Sequence, residues 1–285
     1  MRTLRTVAEV RDALTEPRRA GRAVGLVPTM GSFHEGHLSL IRRARAECDE
    51  LVVSLFVNPA QFDRAADLRR YPRDESRDAR LAADLGVDYL FAPPVEEIYP
   101  AGFATTVSVA GITETLEGAH RGRAHFEGVA TVVTKLFNIV GPDVAYFGQK
   151  DAQQALVIKR LVADLDIPVR IEVCPTVREP DGLAMSSRNA LLSPEERARA
   201  VALSRALRRA HDAVAAGERD AVKLAREARS QLTSDGVEPE YLELVSTDTL
   251  APVGEIDGGA LIVVAAQVGD ARLIDNDIVT TNGRP

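Results

Sequence analysis

The chain has 285 residues, enough for two modest domains or for one large α/β domain with an appendage. Its 45% hydrophobic and 27% charged residues exclude disorder as the main state, and a net charge of −7 argues against a large basic face for nucleic acid while leaving room for a local cationic pocket. Cys48 and Cys174 form no CxxC pair, Met1–Arg5 runs into polar sequence without the apolar core of a signal peptide, and no apolar run reaches bilayer-spanning length, so a reduced, cytoplasmic, membrane-free protein is expected.

In chain order, Ala23–Val27 predicts a strand and His37–Glu47 a helix with Leu38, Ile41 and Ala44 on one side. Leu51–Val57 is nearly all apolar, as expected of a parallel strand covered on both faces. A polar helix over Glu75–Leu85 leads to a strand over Asp88–Phe91. A helix follows over Gly128–Val140, a strand over Val144–Phe147, a helix over Ala152–Asp164 and a strand over Val169–Val173. This alternation predicts a doubly wound, Rossmann-like parallel sheet, with ligands at the carboxyl ends of its strands.

The texture changes near residue 176. Ser193-Pro194-Glu195-Glu196 starts a helix that runs to Ala215, and a second helix is expected over Asp220–Leu232. Tyr241–Val245, Ala260–Ala266 and Arg272–Ile274 read as short strands. The expected organisation is a Rossmann-like domain over 1–176 and a smaller α+β lid domain over 177–285, hinged between Cys174 and Asp181.

Pro28-Thr29-Met30-Gly31-Ser32-Phe33-His34-Glu35-Gly36-His37 leaves the first of these strands and opens a helix. Backbone N–H groups, the helix dipole and two glycines suit phosphate there, and imidazoles three residues apart can share one face. A zinc protease would space its histidines four apart, and the Gly-Lys-Ser/Thr ending of a P-loop is absent. The plain alternative is that both histidines only cap the helix.

Asn58-Pro59-Ala60-Gln61-Phe62 turns out of the next strand, and its neutral amides suit a small polar substrate or simply a turn. Gly148-Gln149-Lys150-Asp151 repeats the strand-to-helix setting, with Lys150 a phosphate candidate and Gln154 one helical turn on. Met185-Ser186-Ser187-Arg188-Asn189 combines two hydroxyls with a guanidinium that binds oxygens bidentately. Being between domains, it would close over a triphosphate. Arg121 and His125 read as a mobile or merely solvated cationic loop, and His211 as a surface residue.

His-x-Gly-His after a first strand resembles the signature of the nucleotidyltransferase superfamily. The longer Pro-Thr-Met-Gly-x-x-His-x-Gly-His, with Phe56-Val57-Asn58-Pro59-Ala60-Gln61-Phe62, Tyr71-Pro72-Arg73, Gly148–Asp151 and Met185–Arg188 in order, resembles the pantothenate synthetase family. The likeness is dense between Pro28 and Asn189. The family more often has Glu where this chain has Gln149.

The resemblance implies a cytoplasmic homodimeric ligase that uses ATP with Mg2+, D-pantoate and β-alanine, through a pantoyl adenylate. It implies catalytic roles for His34, His37 and Lys150. ATP contacts would fall on Met30–His37, Gly148–Asp151, Val177 and Met185–Arg188, within which lie Gly31, Ser32, Phe33, Glu35, Gly36, Gln149, Ser186 and Ser187. Gln61, Gln154, Asn58 and Met30 would hold the small substrates, with Phe62 on the apolar wall and Asp78 an indirect contributor. Rival readings are a nucleotidyltransferase that stops after one transfer, an aminoacyl-tRNA synthetase, and a nucleotide sensor without turnover.

Overall fold

Thr6 caps the first helix: its hydroxyl accepts the backbone N–H of Glu9, whose carboxylate accepts that of Thr6. This helix, α1 (Val7–Arg19), and the strand before it, β1 (Arg2–Leu4), lie outside the expected elements. The strand is short, and α1 buries only Val10, Leu14 and Pro17 along a thin stripe. The computed structural model describes residues 1–62 and 65–281. They form two units, Met1–Gly148 with Gln153–Pro175, and Gln149–Ala152 with the chain from Thr176 onward.

The first unit continues through β2 (Val24–Thr29), α2 (Glu35–Glu47), β3 (Glu50–Leu55), α3 (Ala65–Arg70), α4 (Glu75–Asp84), β4 (Tyr89–Phe91), α5 (Val95–Ile98), α6 (Glu117–Arg121), α7 (Arg123–Val140), β5 (Val144–Gly148), α8 (Ala152–Asp164) and β6 (Arg170–Cys174). Its six strands are all parallel, in the order β1-β4-β3-β2-β5-β6. Successive strand residues face opposite layers, the geometry of a sheet covered on both sides. Leu26 and Val52 pack among residues of α1, α7 and α8, while Val27 and Val53 pack with Ile41 of α2 and Ala82 of α4.

The second unit contains α9 (Pro194–Ala215) and α10 (Ala221–Ser234), packed on the antiparallel sheet of β7 (Pro239–Val245), β8 (Gly259–Val268) and β9 (Ala271–Thr280). β9 runs well beyond the expected Arg272–Ile274. Asp275-Asn276-Asp277 breaks its apolar pattern, yet Asp275 and Asn276 are buried with partners of their own. His211, expected at the surface, is instead buried on α9 with Nδ1 3.5 Å from Asp277.

Candidate active site

After β2 the chain adds β3 and β4 on one side and later β5 and β6 on the other, so strand order reverses between β2 and β5. The crevice at such a reversal is where open α/β sheets bind ligands. The turn after β2 starts from Thr29, whose hydroxyl donates to the Ser54 carbonyl at 2.6 Å and accepts the Gly31 N–H at 3.2 Å. Gly31 has φ +88°, a conformation that favours glycine, and a Cβ there would also have to displace the end of the Leu55 side chain, 2.7 Å away.

Ser32 holds φ +55°, a left-handed conformation that costs a non-glycine residue about 1–2 kcal/mol. What holds it is Asp78, 1% exposed, which accepts the N–H of Ser32 at 2.7 Å and of Phe33 at 2.9 Å. Arg77 donates to the Phe33 carbonyl at 3.0 Å. The Phe33 side chain is buried in the core and, with both of its backbone polar groups bonded, pins the turn to the sheet.

His34 is the N-cap of α2: its Nδ1 accepts the Gly36 N–H at 3.2 Å, and His37 Nδ1 accepts the His34 N–H at 3.4 Å. The ring centroids are 4.2 Å apart. With each Nδ1 accepting, each neutral ring carries its proton on Nε2. Capping and phosphate binding are therefore compatible, because capping uses Nδ1 and fixes Nε2 as the donor. Glu35 pairs with Arg42, and that bond holds its carboxyl below the ordinary range.

At the end of β3, Asn58 is 1% exposed and its amide is fully engaged. Nδ2 donates to Gln61 Oε1 and to the Gly128 carbonyl, both at 3.0 Å, while Oδ1 accepts the Ala60 N–H at 3.3 Å and the Tyr99 hydroxyl at 2.8 Å. Burial pushes the Tyr99 hydroxyl up to about 12, so it stays protonated and donates. Asn58, expected as a substrate contact, thus orients Gln61. With Oε1 taken, Gln61 turns Nε2 toward Met30, 3.0 Å from its sulfur.

The expected cationic loop is helical instead. Arg121 ends α6 in a 2.8 Å pair with Glu117, and His125 is a buried residue of α7, with Nδ1 2.8 Å from the Gln61 carbonyl. α7 starts at Arg123, ahead of the expected Gly128, and its first turns carry the His125 contact and an Arg123–Glu127 pair at 2.7 Å, which an apolar period does not register. Gly128 lets α7 lie directly on the Pro59–Gln61 turn, since a Cβ there would sit 2.4 Å from the Ala60 carbonyl oxygen. On α8, Gln154 is half-buried, while Gln153 is buried and tethers the segment before α6 through Ile112, Thr115 and Glu117. A cavity of about 620 Å³ lies beside the β2 turn, with Met30, Ser32, Phe56, Leu68, Arg73 and Asp78 among its walls. Among the described residues no group of three or more His, Cys, Asp and Glu side chains converges as a metal site.

The second unit holds the other expected residues. Lys150 is half-buried, with Nζ 3.7 Å from the exposed Asp151 carboxylate. Gln149 pairs its side chain with Asn276 at 2.9 Å. Val177 accepts the Met185 N–H at 2.9 Å, and Ser186 caps the short turn Ser187–Leu191 by accepting the Arg188 N–H at 3.3 Å. Asn189 anchors that turn, donating to Glu179 at 2.6 Å and to the Ala184 carbonyl at 3.0 Å. Ser187 and Arg188 remain exposed at its surface. Tyr99, Gly128 and Asn276 all position expected site residues, and no sequence motif marks them.

The switch point defines a class: an α/β protein of Rossmann type in which the turn after β2 opens a helix at the carboxyl edge of the sheet. Known proteins narrow it further. The model of the family described as pantoate-beta-alanine ligase matches residues 2–278. A pantothenate synthetase from Cereibacter sphaeroides is 56% identical over 96% of this chain and 98% of its own. The crystal structure of pantothenate synthetase from Thermus thermophilus superposes with a TM-score of 0.91 at 50% identity, covering 97% of this chain and 99% of that one. The pantoate-beta-alanine ligase from Francisella tularensis, complexed with beta-gamma ATP and beta-alanine, gives 0.81 at 34% identity over 100% of this chain and 99% of that one. The chain belongs to the pantoate–β-alanine ligase family.

Proposed function

We propose that the chain condenses D-pantoate with β-alanine at the expense of ATP, with the residues above in the following roles. In the first step a pantoate carboxylate oxygen attacks the α-phosphorus and pyrophosphate leaves, giving pantoyl adenylate. In the second the β-alanine amine attacks the acyl carbon, the C–O bond to AMP breaks, and a proton is lost as the amide forms. Phosphoryl transfer of this kind rests on alignment and charge stabilisation rather than covalent help from the protein.

The observation that carries the assignment is the pair of imidazoles at the start of α2, each with Nδ1 accepting a backbone N–H, an arrangement that puts the proton of a neutral ring on Nε2. Nε2–H groups of His34 and His37 would bind phosphate oxygens as charge moves toward pyrophosphate. Lys150, Ser186, Ser187 and Arg188 would balance triphosphate charge. Gly31, Gly36 and Gly148 would let backbone approach the nucleotide, alongside Ser32, Gln149, Asp151, Val177 and Met185. Gln61, its amide turned by Asn58, would donate to pantoate, joined by Gln154 and an apolar wall of Met30 and Phe62. Mg2+ enters with ATP, since it keeps several waters and binds chiefly through phosphates. The family likeness extends the proposal to a cytoplasmic homodimer, which sedimentation velocity would check.

Product analysis with ATP, Mg2+, D-pantoate and β-alanine, omitting one at a time, tests the reading. AMP and pyrophosphate should require pantoate, and pantothenate should require β-alanine as well. His34→Ala or Lys150→Ala should each raise the barrier by about 3 kcal/mol. Near-normal turnover in a folded variant would remove that residue from its role.

A further inference from the structure

Asp275 and Asn276 are adjacent on β9, only 3% and 4% exposed, in a strand otherwise suited to apolar packing. Buried polar groups are costly unless each finds its partners, so their bonds indicate what they hold. Asn276 Nδ2 donates to the Gln149 carbonyl at 3.0 Å and to the Lys150 carbonyl at 2.9 Å, and Oδ1 accepts Gln149 Nε2 at 2.9 Å. The backbone on both sides of the Lys150 amide link is thereby gripped by one side chain.

Asp275 receives both arms of Arg178, at 2.6 and 3.1 Å. Arg178 also donates to the Gly182 carbonyl at 3.3 Å and bridges in antiparallel fashion to Ala184, directly before Met185–Arg188. Two neighbouring residues of β9 therefore brace two of the expected site segments in this unit, one through Lys150 and the other through the base of the Ser186–Arg188 turn.

We infer that Asp275-Asn276 is a positioning pair for the adenylation step, with Asn276 setting the place of Lys150. The inference rests on the proposed role of Lys150. It also gives Gln149 a reason. With Asn276 Nδ2 spent on two backbone carbonyls, only its oxygen is left for the side chain at position 149, so that side chain needs a donor; a glutamate would set a carboxylate against Asn276 Oδ1. Asn276 touches no reacting atom in this scheme, and its effect passes through Lys150.

The test is a double-mutant cycle on the full chain, read in each half-reaction. Pyrophosphate release from ATP and pantoate reports adenylation; pantothenate formation from supplied pantoyl adenylate and β-alanine reports the second step. Asn276→Leu should slow adenylation roughly 10- to 100-fold, the scale of a displaced catalytic group, and leave the second step within about twofold. In a Lys150→Ala background it should cost almost nothing more. Equal losses in both backgrounds, equal losses in both half-reactions, or an unchanged adenylation rate would each overturn the inference. Normal adenylation by Lys150→Ala alone would overturn the Lys150 assignment itself, a separate failure. If Asn276→Leu does not fold, Gln149→Leu removes a single bond and should slow adenylation alone by a few-fold, with the same outcomes deciding.

Discussion

Asp78→Asn isolates the contribution of one buried carboxylate to the shape of the β2 turn. Asp78 accepts two backbone N–H groups, at 2.7 and 2.9 Å, with each oxygen serving one donor. An amide of the same size keeps one acceptor and turns its own N–H2 against the other donor. A hydrogen bond to a charged group contributes about 1.5–3 kcal/mol, and an abandoned buried donor costs about 1–3 kcal/mol. Ser32 then lacks part of what offsets its left-handed backbone. We expect the turn to lose about 2–3 kcal/mol, a shift of roughly 30- to 150-fold in its order–disorder equilibrium, which from nearly balanced forms lowers the ordered population about 15- to 80-fold. Pyrophosphate release with saturating pantoate should therefore fall at least tenfold, while thermal melting shifts by only a few degrees because the rest of the sheet is untouched. A rate within twofold of the parent, with Asp78→Asn folded, would refute the reasoning and reduce Asp78 to a packing residue.

Gly128→Ala should press α7 off the Pro59–Gln61 turn at a cost of about 1–3 kcal/mol and raise KM for pantoate while KM for ATP holds; an unchanged pantoate KM would show that the turn tolerates the extra methyl. Tyr99→Phe removes the hydroxyl that donates to Asn58, and with it about 1 kcal/mol, so pantoate KM should rise about fivefold in steady-state kinetics. Glu218 is held down to about 2, chiefly by its bond to Lys223 and then by the N–H groups of Asp220 and Arg219. Its folded value lies below the ordinary 4.5, so the stability it contributes is present above that pH and is lost as pH falls toward 2. Denaturant melts of Glu218→Gln should approach the parent between those limits. Burial pushes the Cys174 thiol up to about 11, so at pH 8 it should react with thiol reagents far more slowly in the native chain than after unfolding.

The parallel sheet was legible because the elements that build it are long apolar runs and amphipathic helices. Leu51–Val57 reads as covered on both faces; within it Leu51, Val52, Val53, Ser54 and Phe56 are buried, Leu55 and Val57 are partly buried, and the strand itself is Glu50–Leu55. β1 and α1 were not legible, since a three-residue strand and a helix with a thin stripe carry almost no periodic signal. At the site, the segments that leave strands at their carboxyl ends were found by motif and placement. Their supports were not. Asp78 lies 46 residues from Ser32 in sequence and Asn276 lies 126 from Lys150, and nothing local announces such partnerships. Asn58 shows the same limit: an amide after a strand looks available in sequence, and only the fold reveals that Tyr99 and Gly128 engage it.

The interleaving of the two units bears on how relatives of this chain can exchange segments. A crossover at residue 176 looks natural in one dimension, yet Gln149–Ala152 belongs with the later sequence. A chimaera joined there would match residue 149 of one parent with residue 276 of the other, a glutamine-for-asparagine handshake that recombination would have to preserve. Parents that differ at either position should yield hybrids that fold as two sound halves and carry a misfitted lysine. Breakpoints placed before Gln149 would keep each pair together, so shuffled libraries should be enriched in active clones on that side of the turn.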